Sequence, residues 1–179
     1  MIDTKDNDLE IAADSQIVTY LVEANEAKYD PDLDASLLKP ERKEAFRIAL
    51  RYRIWLLPTV YNEVKAIKDM NRLLQHTSFL NVMLGRTNLN NPFLKQRIDK
   101  RSKEFFQYHP KENDCRILAE AEMLGIKIFL TFDDDFQKRL ESHTRIKLLK
   151  PSQFVIPPGT SLKFKPAGDN PKSVQNWWK

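Results

Sequence analysis

Residues 126–136 read IKIFLTFDDDF, and the reading of this stretch decides the fold. IKIFL is short, β-branched and apolar apart from one lysine, without helical spacing, which predicts a buried strand. Gly125, just before it, ends a preceding helix. Three aspartates then follow in a row. Like charges that close repel by about 1 kcal/mol in water, and by several once partly desolvated. A buried strand that opens into such a cluster needs something to offset the charge. Either a cation sits against it, or one aspartate caps the helix beginning near Phe136, a task for which Asp135 is best placed.

Working outward, LEIAA (9–13) reads as another strand, with Asp14 directly after it and a helix through Val18, Leu21 and Val22. DPDLD (30–34) is a loop, and a helix runs from about Glu41 to Tyr52. IWLLP (54–58) is a buried strand or the lead-in to a helix that starts near Thr59 and carries Val60, Val64 and Ile67. GRTNLNNP (85–92) reads as a turn-rich break. Two further helices are predicted after Pro92 and from Asp114 to Leu124, and a last strand at RIKLL (145–149). Strands alternating with helices predict a parallel α/β sheet. Residues 9–156 form the expected domain, with a polar lead at 1–8 and a Pro- and Lys-rich tail at 157–179.

Of the 179 residues, 41% are hydrophobic and 30% charged, a balance that excludes a disordered chain and fits one folded unit. No apolar run approaches the roughly 20 residues a membrane span needs. MIDTKDNDLE has neither a basic end nor an apolar core, so a secretory signal is not expected. A lone cysteine, Cys115, makes neither an internal disulfide nor a Cys-based zinc site. A cytoplasmic setting is expected. The net charge of +4 leans toward an anionic partner, with basic residues crowded at 86–103 and 145–179. Such crowding marks either nucleic-acid binding or a solvated lysine face.

Acidic residues standing where their helices should be apolar carry the most information. Glu63 interrupts the stripe Val60, Val64, Ile67; Asp114 opens a helix whose inner face is Leu118 and Ala121; Asp14 precedes Val18 and Leu21 at the same intervals. A carboxylate aimed at a core needs a partner. Asp14 and Asp114 can each be an N-cap, and Glu63 can sit in a buried ion pair. Taken together, however, Asp14 and Asp133 both follow strands, where open parallel sheets assemble their sites. His76, His109 and His143 lie outside these motifs and read as surface or core residues. With oxygen donors alone, the cation that suits the set is Mg²⁺ or Mn²⁺, and such sites perform phosphate-ester chemistry.

The pieces AADSQIVTYLVEA, LLPTVYNEV, NDCRILAEAEMLG and FLTFDDDF, in this order, resemble the PIN-domain ribonucleases, including the VapC-type toxins of bacterial toxin–antitoxin pairs. The resemblance covers roughly residues 9–155, and RIKLLKPSQF is similar to the closing strand and Pro-Ser turn of such domains. Asp14, rather than Asp3 of MIDT, matches the first acid, because only Asp14 has room for a strand before it. Thr131-x-Asp133 matches the last, while Asp134 or Asp135 assists or caps.

The resemblance implies a three-layer α/β/α sandwich around a parallel sheet of four or five strands. It also implies a metal-dependent endoribonuclease that leaves a 3′-hydroxyl and a 5′-phosphate. Asp14, Glu63, Asp114 and Asp133 would hold one or two Mg²⁺ ions, with Ser15 and Thr131 in support and Arg86 and Arg101 on the RNA backbone. An antitoxin protein and a second copy of the chain are the implied partners. Against this stand a catalytically idle scaffold that binds RNA or protein, and a nuclease acting on DNA. In the tail, Phe164, Trp177 and Trp178 either stack on bases or pack against the domain or a second subunit.

Overall fold

Every residue of β1 (Ile11–Ala13), β2 (Ile54–Leu56) and β4 (Ile128–Leu130) is buried, so neither face of the sheet meets solvent along its centre. A strand covered on both sides shows no polar alternation, which is why these stretches read as continuous apolar runs. A computed structural model of the chain describes residues 9–29, 40–87, 89, 91–156 and 158, without the side chains of 25–29, 82, 83 and 86. The expected lead (1–8), the loop at 30–34 and nearly all of the tail, including Phe164, Trp177 and Trp178, lie outside the described residues.

Five parallel strands lie in the order β3-β2-β1-β4-β5, with β3 at Gly85–Arg86 and β5 at Lys147–Leu149. Between β1 and β2 run α1 (Ser15–Tyr29) and α2 (Pro40–Ala49); between β2 and β3 run α3 (Pro58–Lys65) and α4 (Met70–Met83). The crossover from β3 to β4 carries α5 (Pro92–Phe106) and α6 (Glu112–Met123), and α7 (Asp134–Leu140) joins β4 to β5. Right-handed crossovers place α1–α4 on one face and α5–α7 on the other. In keeping with this, α1 packs on α2, α3 and α4, while α5 packs on α6. The architecture is the expected three-layer sandwich, with five strands.

One apolar cluster joins the layers through Ile17, Leu21, Leu118, Phe105 and Phe129, all essentially without exposure. Burying each such side chain contributes about 2 kcal/mol before entropy is counted. α6 ends as its sequence requires: Gly125 adopts φ 68°, and Ile126 N–H donates to the Ala121 carbonyl at 3.1 Å while Gly125 N–H donates to Glu122. That paired capping is the signature of a left-handed glycine after a helix. Among the described residues no helix is long and apolar enough to cross a membrane.

Several boundaries differ from expectation. GRTNLNNP is not all turn: Gly85 and Arg86 pair with Trp55 and Leu56 as an edge strand. A side chain at 85 would not fit, since a Cβ there would lie 2.7 Å from the Trp55 ring. A separate helix, α4, follows α3 and is capped by Asp69, which accepts from Arg72 N–H at 2.7 Å. The helix bearing Asp114 begins two residues earlier than its apolar pattern suggests, so Asp114 sits in the first turn of α6 and is not its N-cap.

The strand order reverses on either side of β1: the chain runs outward to β3, then crosses back to β4. In open parallel sheets such a switch leaves a crevice beyond the strand C-termini. Here the crevice opens between the residues that follow β1 and β4, namely Asp14 and Thr131–Asp133.

Candidate functional site

A cavity of about 160 Å³ occupies that crevice, and Asp14, Asp114 and Asp133 all line it, with Ser15 and Thr131. The topology brings Asp14 to one place with two carboxylates that lie a hundred residues or more further along the chain.

Asp14 is held by its own backbone. Its N–H donates to the Leu130 carbonyl at 3.1 Å, tying the end of β1 to the end of β4. Its Oδ1 accepts from Ile17 N–H at 2.8 Å, so it caps α1 while lining the cavity. Burial pushes the carboxyl up to about 6. The Thr131 hydroxyl and the Ile17 N–H oppose that rise, while the charges of Asp114 and Asp133 add to it.

Thr131 is buried and links two of the acids. Its hydroxyl acts to lower the Asp14 carboxyl and accepts from Asp133 N–H at 3.0 Å. Asp133 is the N-cap of α7, its Oδ1 accepting from the N–H groups of Asp135 (2.9 Å) and Phe136 (3.0 Å). The capping role expected of Asp135 therefore belongs to Asp133, because the helix starts one residue after it. Asp134 points away and pairs with Lys150 at 2.7 Å.

The second oxygen of Asp133 accepts from Lys111 Nζ at 2.7 Å, and the same ammonium lies 3.6 Å from Asp114 Oδ2. Burial alone would raise the Asp133 carboxyl, but Lys111 and the two helix N–H groups outweigh it and hold it below the ordinary value. The hydrogen bond to Asp133 in turn raises the Lys111 ammonium.

His109, read from the sequence as standing apart from the motifs, is buried against one of them. Its Nε2 lies 2.8 Å from Asp114 Oδ2. A carboxylate only accepts, so that nitrogen carries the proton. The buried Nδ1 has no partner among the described residues.

Glu63 stands to the side. Its Oε1 accepts from Asn113 Nδ2 at 2.9 Å, next in sequence to Asp114, but it does not line the cavity of the three aspartates. An acid the sequence reading passed over, Glu120, lies deeper: it is 2% exposed and accepts from Thr59 N–H (3.0 Å) and the Thr59 hydroxyl (2.7 Å). Its signal was available, since Glu120 follows Ala119 and precedes Ala121 on the buried side of α6.

The two expected phosphate contacts fare differently. Arg101 is engaged elsewhere: its guanidinium donates to Glu122 (2.7 and 3.2 Å), to Glu104 (2.7 Å) and to the His143 carbonyl (2.7 Å). These partners lie at the opposite end of the sheet from the aspartates, so four of the five N–H donors of Arg101 are engaged away from the site. Arg86 closes β3, and its side chain lies outside the described residues.

Among the described residues, no group of three or more Asp, Glu, His or Cys side chains is drawn close enough to grip a metal ion as arranged. The chemistry of the donors nevertheless fits a hard divalent cation. All are oxygens, Asp14 is left short of countercharge, and the cation now bridging Asp133 and Asp114 is an ammonium on a stem 61% exposed, able to swing away.

Comparison with protein-family models and with curated protein sequences gave no match. Among solved structures, the chain is similar to one in the crystal structure of VapBC2 from Rickettsia felis bound to a DNA fragment from their promoter. The TM-score is 0.53 at 13% identity, over 79% of this chain and 98% of that one. The fold is PIN-like. A looser likeness, with a TM-score of 0.43 at 10% identity, over 80% of this chain and 99% of the other, links it to FitAcB from Neisseria gonorrhoeae. At such identities the PIN-like likeness concerns architecture, and the chemistry must be argued from the side chains.

Proposed function

We propose that the protein is a Mg²⁺- or Mn²⁺-dependent endoribonuclease. One observation carries this: Asp14, Asp114 and Asp133 converge on a single cavity at the switch point of a PIN-like sheet, with too little fixed positive charge to balance them. Asp14, Asp114 and Asp133 would hold the cation, and Glu63 would join through a turn of its side chain away from Asn113. When bound, such a cation activates water and offsets charge on the attacked phosphate. The chain's own residues supply the rest. Thr131 fixes Asp14 relative to Asp133, the Ile17 N–H fixes the other side of Asp14, and Ser15 sits at the cavity mouth. Lys111 neutralises the acids until a cation displaces it, then offers its ammonium to the RNA phosphate.

RNA is the proposed substrate and a cytoplasmic setting is proposed with it. The solved VapBC2 structure is of an assembly on promoter DNA; by analogy of fold, an antitoxin protein and a second copy of this chain are proposed partners. A second reading, an idle scaffold that binds RNA or protein, draws on the Lys111 bridge, which already satisfies two of the acids.

Incubation of the purified chain with total RNA, with Mg²⁺ and with EDTA, beside Asp114→Asn, separates the readings. The nuclease reading expects cutting only by the wild type with metal. Equal cutting by the variant places the activity elsewhere, and binding without cutting by either favours the scaffold.

A further inference from the structure

Beside the acidic crevice a larger cleft, about 510 Å³, opens on the same edge of the sheet beyond β2 and β3. Its size falls within the range of ordinary small-molecule sites. The floor is apolar, made by Leu56, Leu89 and Ile98, and Tyr61 supplies an aromatic wall. Two cations reach it, Lys95 from α5 and Arg116 from α6. Arg116 donates to Asp99 at 2.7 Å and lies 3.6 Å from Glu120. Lys95 is exposed and has no ion-pair partner among the described residues. At the inner end stands Glu120, whose carboxylate uses two of its roughly four acceptor positions on Thr59 and keeps the others.

The two cavities are neighbours by construction. Ala12 pairs with Trp55, so Asp14 after β1 and Pro58 and Thr59 after β2 leave adjacent strands at the same end of the sheet. α6 lines both, with Asp114 and Ile117 at the first cavity and Arg116 and Glu120 at the second, and Glu63, bonded to Asn113 beside the first, also bears on the Glu120 carboxyl in the second. An acidic crevice by itself repels a polyanion. Any RNA bound there must draw its affinity from nearby, and Arg101, turned to the far end of the sheet, is not the source.

We propose that this cleft is a nucleotide subsite, holding one nucleotide of a single RNA strand next to the phosphate at the three aspartates. Lys95, with Arg116 beside it, takes the phosphate. The base lies on the Leu56–Leu89–Ile98 floor against Tyr61, its N–H edge turned to Glu120. The inference rests on the nuclease reading for its choice of ligand, but it makes its own claim about binding.

The test uses the full chain and fluorescently labelled single-stranded RNA oligonucleotides in EDTA, so that cleavage plays no part. Two variants address separate features: Lys95→Glu reverses the charge, and Asn62→Trp fills the cleft from its exposed rim. Thermal unfolding first establishes that both variants fold. Each is expected to raise Kd about tenfold, the scale of one stacked base, and Lys95→Glu to reduce the slope of log Kd against log salt by about one. Unchanged Kd in Asn62→Trp overturns the subsite even if Lys95→Glu weakens binding, since charge alone then explains the affinity. Failure of the wild type to bind RNA in EDTA overturns it as well. Metal-dependent cutting with unaltered Kd in both variants removes the subsite and leaves the nuclease. Loss of binding in both variants, in a protein that never cuts, leaves the subsite and removes the nuclease.

Discussion

α6 carries a carboxylate at each end, and the two could hardly be treated more differently. In its last turn, Glu122 accepts from Arg101 twice, from the Thr144 hydroxyl at 2.6 Å and from Arg145 N–H at 3.4 Å. Burial would raise that carboxyl, but these donors outweigh it and hold it below the usual range. In its first turn, Asp114 has His109 and a share of one flexible lysine, and it faces Asp14, whose carboxyl is driven up to about 6. One end is a closed ionic network that joins α5, α6 and the turn before β5. The other holds surplus negative charge. A closed network serves the fold, whereas surplus charge at a strand terminus is a cost that persists where a ligand offsets it.

The contrast breaks most visibly in catalysis. Asp114→Asn should lower RNA cleavage by about 1000-fold, equivalent to about 4 kcal/mol, while urea unfolding without metal stays near the wild-type midpoint. The matching change at the far end, Arg101→Ala, leaves Glu122 partly buried without its guanidinium. It should cost about 2–3 kcal/mol of stability, discounted for the partial exposure of the pair, and leave metal-dependent cutting per folded molecule intact.

Asp14 sharpens the comparison through pH. Its folded value of about 6 lies above the ordinary 3.8, so the folded state holds the proton more tightly. That proton's stabilising contribution is complete below pH 4 and is lost as pH rises through 6. Asp14→Asn, which keeps the cap on α1, should therefore flatten stability between pH 4 and 6. It should also stabilise the metal-free protein near pH 7 by about 1 kcal/mol, read by chemical unfolding at several pH values. The smallest effect is expected of Lys111→Met: less than about 1 kcal/mol of stability, because its side chain is largely exposed. The same variant should need a few-fold less Mn²⁺ for half-maximal activity, as the competing ammonium is gone.

Much of this was legible in the residues. IAA and IFL are continuous apolar runs because helices cover both faces of their strands; Asp14 follows the first directly, and Asp133 follows the second after Thr131 and Phe132. Asp114 is marked by Leu118 and Ala121 on its inner face. Edge strand β3 was hidden because two residues show no period, and α4 because its buried face, with Phe79 and Leu80, includes the polar His76 while Met70 and Leu74 are exposed. Position in the sequence could not tell that Arg101 serves Glu122, 21 residues on, while Lys111 crosses 22 residues to Asp133. A run of positive charge says that cations are present, not which acid each one meets. His109 escaped for a related reason: its contact with Asp114 depends on the turn between α5 and α6, which no periodicity encodes.

The claim beneath the rest is that Asp14, Asp114 and Asp133 share one divalent cation. Calorimetric titration of the wild type and Asp114→Asn with Mn²⁺ at pH 7.5, without nucleic acid, addresses it directly. The account predicts saturable binding of one or two ions by the wild type, accompanied by a rise in Tm, and no binding in that range by the variant. Equal binding by both proteins, or none by a folded wild type, would contradict it.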